Sequence, residues 1–124
     1  MENDIKKIED FLKDTLKKHR PSLKIVTDTD ERFEVHGTVP TMQGRKKVEG
    51  IYFASVVPKP KDIRLYFFPI YTHQAEFENL DPQLRKCLKG KSCFHIKKMD
   101  ANMEIALDNM IQTGINTYKK DGIL

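Results

Sequence analysis

Val48-Glu49-Gly50-Ile51-Tyr52-Phe53-Ala54-Ser55-Val56-Val57, then Pro58-Lys59-Pro60-Lys61-Asp62, then Ile63-Arg64-Leu65-Tyr66-Phe67-Phe68-Pro69-Ile70-Tyr71, is the stretch that decides the fold. The outer runs are rich in β-branched and aromatic residues, which suit a pleated, half-buried surface. The segment between them carries two prolines, which lack the N–H that a strand ladder needs, so it reads as a turn. The pattern predicts a long antiparallel hairpin at the centre of a sheet. Large apolar side chains stand next to each other as Tyr52-Phe53 and Phe67-Phe68. Both sheet faces are therefore expected to be at least partly covered, one by helices and the other by a dimer partner or a ligand. Pro69, near the end of its run, predicts an edge or a bulge.

Upstream, Leu23-Lys24-Ile25-Val26-Thr27 reads as a short strand and Asp28-Thr29-Asp30-Glu31 as a turn with three acids in four residues. From Arg32 to Val39 the chain alternates, with Phe33 and Val35 on one side and Glu34, His36 and Thr38 on the other, as in a half-buried strand. His36 then belongs to the wetter face as a surface imidazole. Pro40 to Lys47, with Gly44, reads as a loop or hairpin turn. Before all of this, Ile5, Ile8, Phe11, Leu12 and Leu16 recur at three-and-four spacing, which gathers one face of a helix over Asp4 to His19. Asn3 or Asp4 is its expected cap and Pro21 its end. Glu2 with Lys6, Glu9 with Lys13 and Asp14 with Lys18 stand four apart, acid first, the favourable order. With a lysine one turn from most carboxylates, that face reads as solvated rather than as a metal ridge.

Downstream, His73 to Leu80 reads as a short helical turn or ordered loop anchored by Phe77 and Leu80. Asp81-Pro82 supplies a cap followed by proline at the first helical position. A short helix follows with Leu84, Cys87 and Leu88 as its stripe, and Lys89-Gly90 as its stop. In Ser92 to Lys97, Phe94 and Ile96 alternate with Cys93, His95 and Lys97, predicting another strand. Asp100 caps a last helix whose stripe is Met103, Leu107, Met110, Ile111, Gly114, Ile115 and Tyr118. Lys119 and Lys120 suit its C-terminal end and Gly122 stops it. Gly114 costs a helix about 1 kcal/mol against alanine, so close packing against the sheet is expected there. The elements add up to one α+β domain over residues 1–124: an antiparallel sheet of about five strands, with N-terminal, short middle and C-terminal helices packed on it.

Composition narrows the setting. A chain of 124 residues, 39% hydrophobic and 32% charged, can bury a core without disulfides or metal. No apolar run is long enough for a membrane span, and the N-terminus lacks the pattern of a signal peptide. Two cysteines are too few for a disulfide scaffold, so reduced thiols and a cytoplasmic location are expected. The net charge of +4 is evenly spread: residues 1–62 hold 13 Lys/Arg against 11 Asp/Glu, and residues 63–124 hold 9 against 7. One local concentration stands out. From Pro82 to Met99 there are six basic residues (Arg85, Lys86, Lys89, Lys91, Lys97, Lys98) and no acid. Such a patch suits phosphate or nucleic acid, or simply a solvated surface. The central aromatics lack the interleaved basic residues of an RNA platform, and no glycine-rich phosphate loop is present.

Cys93 and His95 fall on one strand face, with Cys87 on the preceding helix and His73 upstream, the ligand types of a metal site. The closely spaced ligand pair typical of zinc is missing, and Cys87 fits its helix stripe as a small hydrophobe. Cys93 near His95 and Lys91 also suggests a thiol of lowered pKa and a thiol-dependent enzyme, although no oxyanion donor is marked.

The segment Gly90-Lys91-Ser92-Cys93-Phe94-His95-Ile96-Lys97-Lys98, followed by a helix ending in Tyr118-Lys119-Lys120-Asp121-Gly122, resembles the YdhG-like bacterial domain family. Tyr52-Phe53-Ala54-Ser55-Val56 and Leu65-Tyr66-Phe67-Phe68-Pro69-Ile70 resemble the family's central strands. The resemblance implies an antiparallel α+β fold. For some members it implies frataxin-like iron chaperoning, in which exposed carboxylates hold iron and pass it to iron–sulfur assembly proteins. The acids least compensated by lysine are Asp28, Asp30, Glu31 and Glu34, then Glu76 and Glu78 near His73. The expectation is a non-enzymatic binding domain. One form of it holds iron through Asp28, Asp30, Glu31, Glu34, His73, Cys93 and His95. The other is a small-ligand or protein-interaction module, self-association included, that uses an apolar sheet face with a cleft at Tyr52, Phe68, Tyr71 and Lys91.

Overall fold

The computed structural model describes residues 2–124, with side chains from Asp4 onward. In chain order the elements are α1 (Glu2–Lys17), β1 (Leu23–Asp28), β2 (Phe33–Gly37), β3 (Thr41–Gln43), β4 (Lys46–Val48), β5 (Tyr52–Pro58) and β6 (Ile63–Phe67). They continue with α2 (Pro69–Thr72), a 3₁₀ turn (Gln74–Phe77), α3 (Pro82–Arg85), β7 (Leu88–Lys89), β8 (Cys93–Ile96) and α4 (Ala101–Lys120). Six strands form one antiparallel sheet in the order β1-β2-β5-β6-β8-β7, and β3 with β4 forms a separate small hairpin. The fold is α+β as read from the sequence, with one more strand in the main sheet than expected. Among the described residues, no helix is long and apolar enough to cross a membrane.

The central hairpin forms, but Pro58 ends β5 opposite Ile63 instead of belonging to the turn, and Lys59 N–H donates to the Asp62 carbonyl at 2.9 Å to close the shorter turn. Its outer ends differ from the sequence reading. Val48 belongs to β4 rather than to the central strand, because Glu49 and Gly50 bend the chain between them. The second strand stops at Phe67, and Pro69 opens α2 instead of marking an edge or bulge. Proline at the first helical position loses no hydrogen bond, so a helix uses Pro69 at less cost than a strand does. Gly90 likewise ends no helix. α3 is a single turn capped by the Asp81 carboxylate on Leu84 N–H at 3.1 Å, and Gly90, at φ +81°, turns the chain between β7 and β8.

Burial follows the pairing register. Phe33, Val35, Val56, Ile63, Leu65, Phe67, Phe94 and Ile96 are buried on one face. β5 departs from strict alternation. Val35 pairs with Ala54 but His36 pairs with Tyr52, so Phe53 is an extra residue in the ladder. This bulge turns both Phe53 and Ala54 into the core, where neither is exposed. The neighbouring aromatics of the sequence are thereby sorted. Phe53 and Phe67 meet edge to face at 5.5 Å beneath the helices, while Tyr52 and Phe68 meet at 5.5 Å outside.

α1 and α4 cover the buried face. Ile8, Leu12 and Leu16 of α1, and Met103, Leu107, Met110, Ile111, Ile115 and Tyr118 of α4, complete the core. The Glu9–Lys13 pair forms as expected at 2.9 Å. Lys18 turns from Asp14 to Asp108 on α4 at 3.0 Å, bridging the helices. The expected Glu2–Lys6 pair and an Asn3 cap fall on side chains outside the described residues, and Asp4 lies within α1 rather than at its cap. Lys6 pairs with Asp10 at 3.2 Å. Asp100 caps α4 as read, accepting from Met103 N–H at 2.8 Å.

Gly114 is the point of closest approach between α4 and the sheet. A β-carbon placed there would lie 2.7 Å from Phe67 Cζ and 3.1 Å from Pro69 Cγ. The Phe67 ring is held edge-on by Phe53 and Phe77, so it has little room to yield. Gly114→Ala gains about 1 kcal/mol of helix propensity, but overpacking costs about 1–3 kcal/mol. The expected outcome is net destabilisation by about 1 kcal/mol, read as a lower urea midpoint at unchanged slope. A stabilised variant would contradict this packing.

Candidate functional site

On the face of the sheet opposite α1 and α4 the strands present their second set of side chains, and α2 brings Tyr71 to its margin. Register aligns them in rows. Glu34 of β2, Ser55 of β5, Tyr66 of β6 and Cys93 of β8 form one row. His36 pairs with Tyr52 on one side of it, and Arg64 pairs with His95 on the other. A purely apolar second face is thus not what the strands build: alternation gives this side hydroxyls, a carboxylate, imidazoles and guanidinium groups.

Glu34 is the hub. Its Oε1 accepts from Arg32 Nε at 2.7 Å and from Ser55 Oγ at 3.1 Å, and its Oε2 lies 2.6 Å from His36 Nε2. Ser55 Oγ in turn accepts from Arg32 Nη2 at 3.0 Å and lies 2.7 Å from the Tyr52 hydroxyl. Ser55 is fully buried although it points away from the helices, because its own partners roof it over. Arg32 also stacks over the Tyr66 ring at 5.9 Å. Burial alone pushes the Glu34 carboxyl upward. The hydrogen bonds from His36, Arg32 and Ser55 outweigh it and hold the group below the usual glutamate value. Burial raises the Tyr52 hydroxyl.

An aromatic row runs on from this cluster. His36 meets Tyr52 at 5.4 Å, Tyr52 meets Phe68 at 5.5 Å, Phe68 stacks on Tyr71 at 5.9 Å, and Lys91 Nζ lies 5.7 Å over the Tyr71 ring. The four residues expected to share a cleft, Tyr52, Phe68, Tyr71 and Lys91, are therefore neighbours in sequence order. They form an open strip, with Tyr71 45% exposed, rather than an enclosed pocket. Cavities of about 700 Å³ and 680 Å³ flank its ends, the first lined by His36, Gln43 and Lys46, the second by Ile70, Arg85 and Lys91.

The residues expected to hold metal are dispersed. Asp28, Asp30 and Glu31 are exposed at the β1–β2 turn, which Thr29 orders by accepting from Arg32 N–H at 3.1 Å. Glu34 is committed to the cluster described above. His73 lies beyond the strip, where its Nε2 is 2.5 Å from Asp121 Oδ2 and its Nδ1 is 2.8 Å from Thr72 Oγ1. Thr72 Oγ1 also lies 2.8 Å from the hydroxyl of Tyr118, which burial raises to about 12. This chain of contacts fastens the end of α4 to α2. Cys93 and His95 share the open face as read, but His95 Nδ1 faces Asp62 at 3.8 Å. Among the described residues, no group of three or more His, Cys, Asp or Glu side chains is placed to hold a metal ion.

The thiols also differ from expectation. Burial raises Cys93, only partly offset by its hydrogen bond with Tyr66 and by Arg64, so a lowered thiol pKa is not found. Burial raises Cys87 as well, and its Sγ lies 3.6 Å from the Gln83 carbonyl. Arg32, Ser55 and Tyr66 were not singled out from the sequence. Arg32 meets Glu34 through local spacing, two residues apart, whereas Ser55 and Tyr66 come to the cluster only through strand register. Compared with models of known protein families, with curated proteins and with solved structures, the chain matches none.

The Glu34 cluster has a pH signature. A carboxyl depressed in the folded state contributes stability that is present above its unfolded value of about 4.3 and lost as pH falls through its lower folded value. Glu34→Gln is expected to lower stability at pH 7 by about 1 kcal/mol, discounted for partial exposure. The difference from the unmodified protein should shrink as pH falls below about 4, in urea titrations at stepped pH. A pH-independent difference would contradict the assigned hydrogen bonds.

Proposed function

We propose that this chain is a non-enzymatic binding domain whose working surface is the sheet face opposite α1 and α4, and that its occupant is another protein surface. One observation carries the reading: the unbroken row His36–Tyr52–Phe68–Tyr71–Lys91, half-buried at its start and exposed at Tyr71 and Lys91, runs beside an Arg32–Glu34–Ser55 cluster. Tyrosine, phenylalanine and arginine dominate the binding energy of protein interfaces, because they offer large contact area at little entropic cost. An open strip favours a broad partner over a small molecule, which needs a concave site to bury most of its surface. A second copy of the chain is one such partner, and a self-complementary contact of this kind forms a closed pair. The proposal includes membership of the YdhG-like domains, supported by the resemblance of the Gly90–Lys98 and Tyr118–Gly122 segments and of the strands Tyr52–Val56 and Leu65–Ile70.

A photocrosslinking residue at Tyr71, in the native cell, is expected to trap one discrete species. The same residue at Gln112, exposed on α4, should not. Phe68→Ser in the Tyr71-labelled chain should abolish the product, and sedimentation of the purified chain tells a second copy from a different protein. No product, or equal products from both positions, would overturn the reading. Iron handling rests on the family resemblance and on the exposed acids Asp28, Asp30 and Glu31. Anaerobic calorimetry with ferrous iron tests it separately: heat abolished by Asp28→Asn with Asp30→Asn would favour it, and no heat would remove it.

A further inference from the structure

The basic run read between Pro82 and Met99 folds into a shape that the sheet-face reading does not use. β7 is only two residues long and pairs with Cys93 and Phe94, and His95 N–H donates to the Cys87 carbonyl at 2.9 Å beside it. Next to this end of the sheet lies a cavity of about 380 Å³, lined by Lys86, Lys89, Lys97 and Lys98 together with His95, with Cys87 and the buried Met103 among its apolar walls. Four of the six basic residues thus converge from three segments: the end of α3, the β7 strand, and the link from β8 to α4.

The charge balance in the cavity is one-sided. Among the described residues, Asp62 is the single carboxylate on its wall, and that group is 6% exposed and already faces Arg64 Nε at 3.4 Å and His95 Nδ1 at 3.8 Å. Among the described residues, none of the four lysines is paired with a carboxylate. Gathering like charges in a cleft with low-dielectric walls costs folding free energy and focuses positive potential, and both effects reward an anion that enters. The volume lies within the range of about 300–1,000 Å³ typical of small-molecule sites. Flexible ammonium groups suit the tetrahedral oxygens of phosphate, which tolerate point-charge donors, better than they suit a planar carboxylate that favours the arginine fork. The apolar wall at Cys87 and Met103 gives the rest of an organic phosphate a place to pack.

We infer that this cavity is a binding site for a small phosphorylated molecule, with Lys86, Lys89, Lys97 and Lys98 on the phosphate and Met103 under its organic part. The site is separate from the aromatic strip and stands or falls without it.

Isothermal titration of the full chain with pyrophosphate and with adenosine monophosphate, at about 50 mM salt and again at about 150 mM, tests the inference. The expected result is saturable one-to-one binding that weakens with salt, and that Lys97→Gln with Lys98→Gln reduces at least about tenfold. All the substituted lysines are exposed, so thermal unfolding should be unchanged. Lys46→Gln with Lys47→Gln, which removes the same charge at the distant β3–β4 hairpin, should leave binding intact. Absence of saturable binding would overturn the site, as would an equal loss from both double variants. Affinity that grows with the length of a single-stranded oligonucleotide, with none for the small phosphates, would overturn it in favour of a nucleic-acid surface.

Discussion

A single extra residue in one strand governs how this molecule divides into an inside and an outside. Between Val35 and His36 the β2–β5 ladder skips a residue, and Phe53 turns inward beside Ala54 instead of alternating outward. Phe53 then meets Phe67 and Tyr118 at 5.5 Å and 5.9 Å under the helices. Without the bulge, strict alternation over β5 would send either Phe53 or Ala54 to the open face, along with the residues that follow in phase. Burying a phenylalanine side chain is worth about 1.5–3 kcal/mol, enough to offset the one ladder position that the bulge gives up.

The same irregularity assembles the open face. Because Phe53 is taken up in the bulge, Tyr52 and Ser55 stand on the outer side, three residues apart instead of an even number. The Tyr52 hydroxyl therefore reaches Ser55 Oγ, and Ser55 reaches Glu34. The charged cluster and the aromatic row are thus two consequences of one backbone feature. A polar cluster beside a row of aromatic rings gives a surface both directional and apolar contacts, the combination that specific association uses.

Much of the fold was legible because its signals are local. The proline-rich segment after Pro58 turns the chain, Asp81 and Asp100 sit at cap positions, and the stripes of α1 and α4 repeat at helical spacing. The errors arose where one residue serves two structures. Pro69 suits a strand end and a helix start, and Gly90 suits a helix stop and a hairpin turn; tertiary contacts decided both. The aromatic strip was legible as Tyr52, Phe68, Tyr71 and Lys91, since large side chains in excess of one core must go elsewhere. The partners of Glu34 were not, because Ser55 lies 21 residues away and meets it only through register. The grouping of acids, histidines and thiols as one set failed for the same reason: residue type says what a side chain can do, while register and packing decide which neighbours it has.

Nuclear Overhauser contacts in the full chain test the division of the two faces most directly. The account expects the Phe53 ring and the Ala54 methyl group both to show contacts to core side chains beneath α1 and α4, with the Tyr52 ring showing contacts to His36 and Phe68. Contacts from the Phe53 ring to His36 or Tyr66, with Ala54 alone facing the helices, would mean that the strand alternates without a bulge, and the account of both faces would fail.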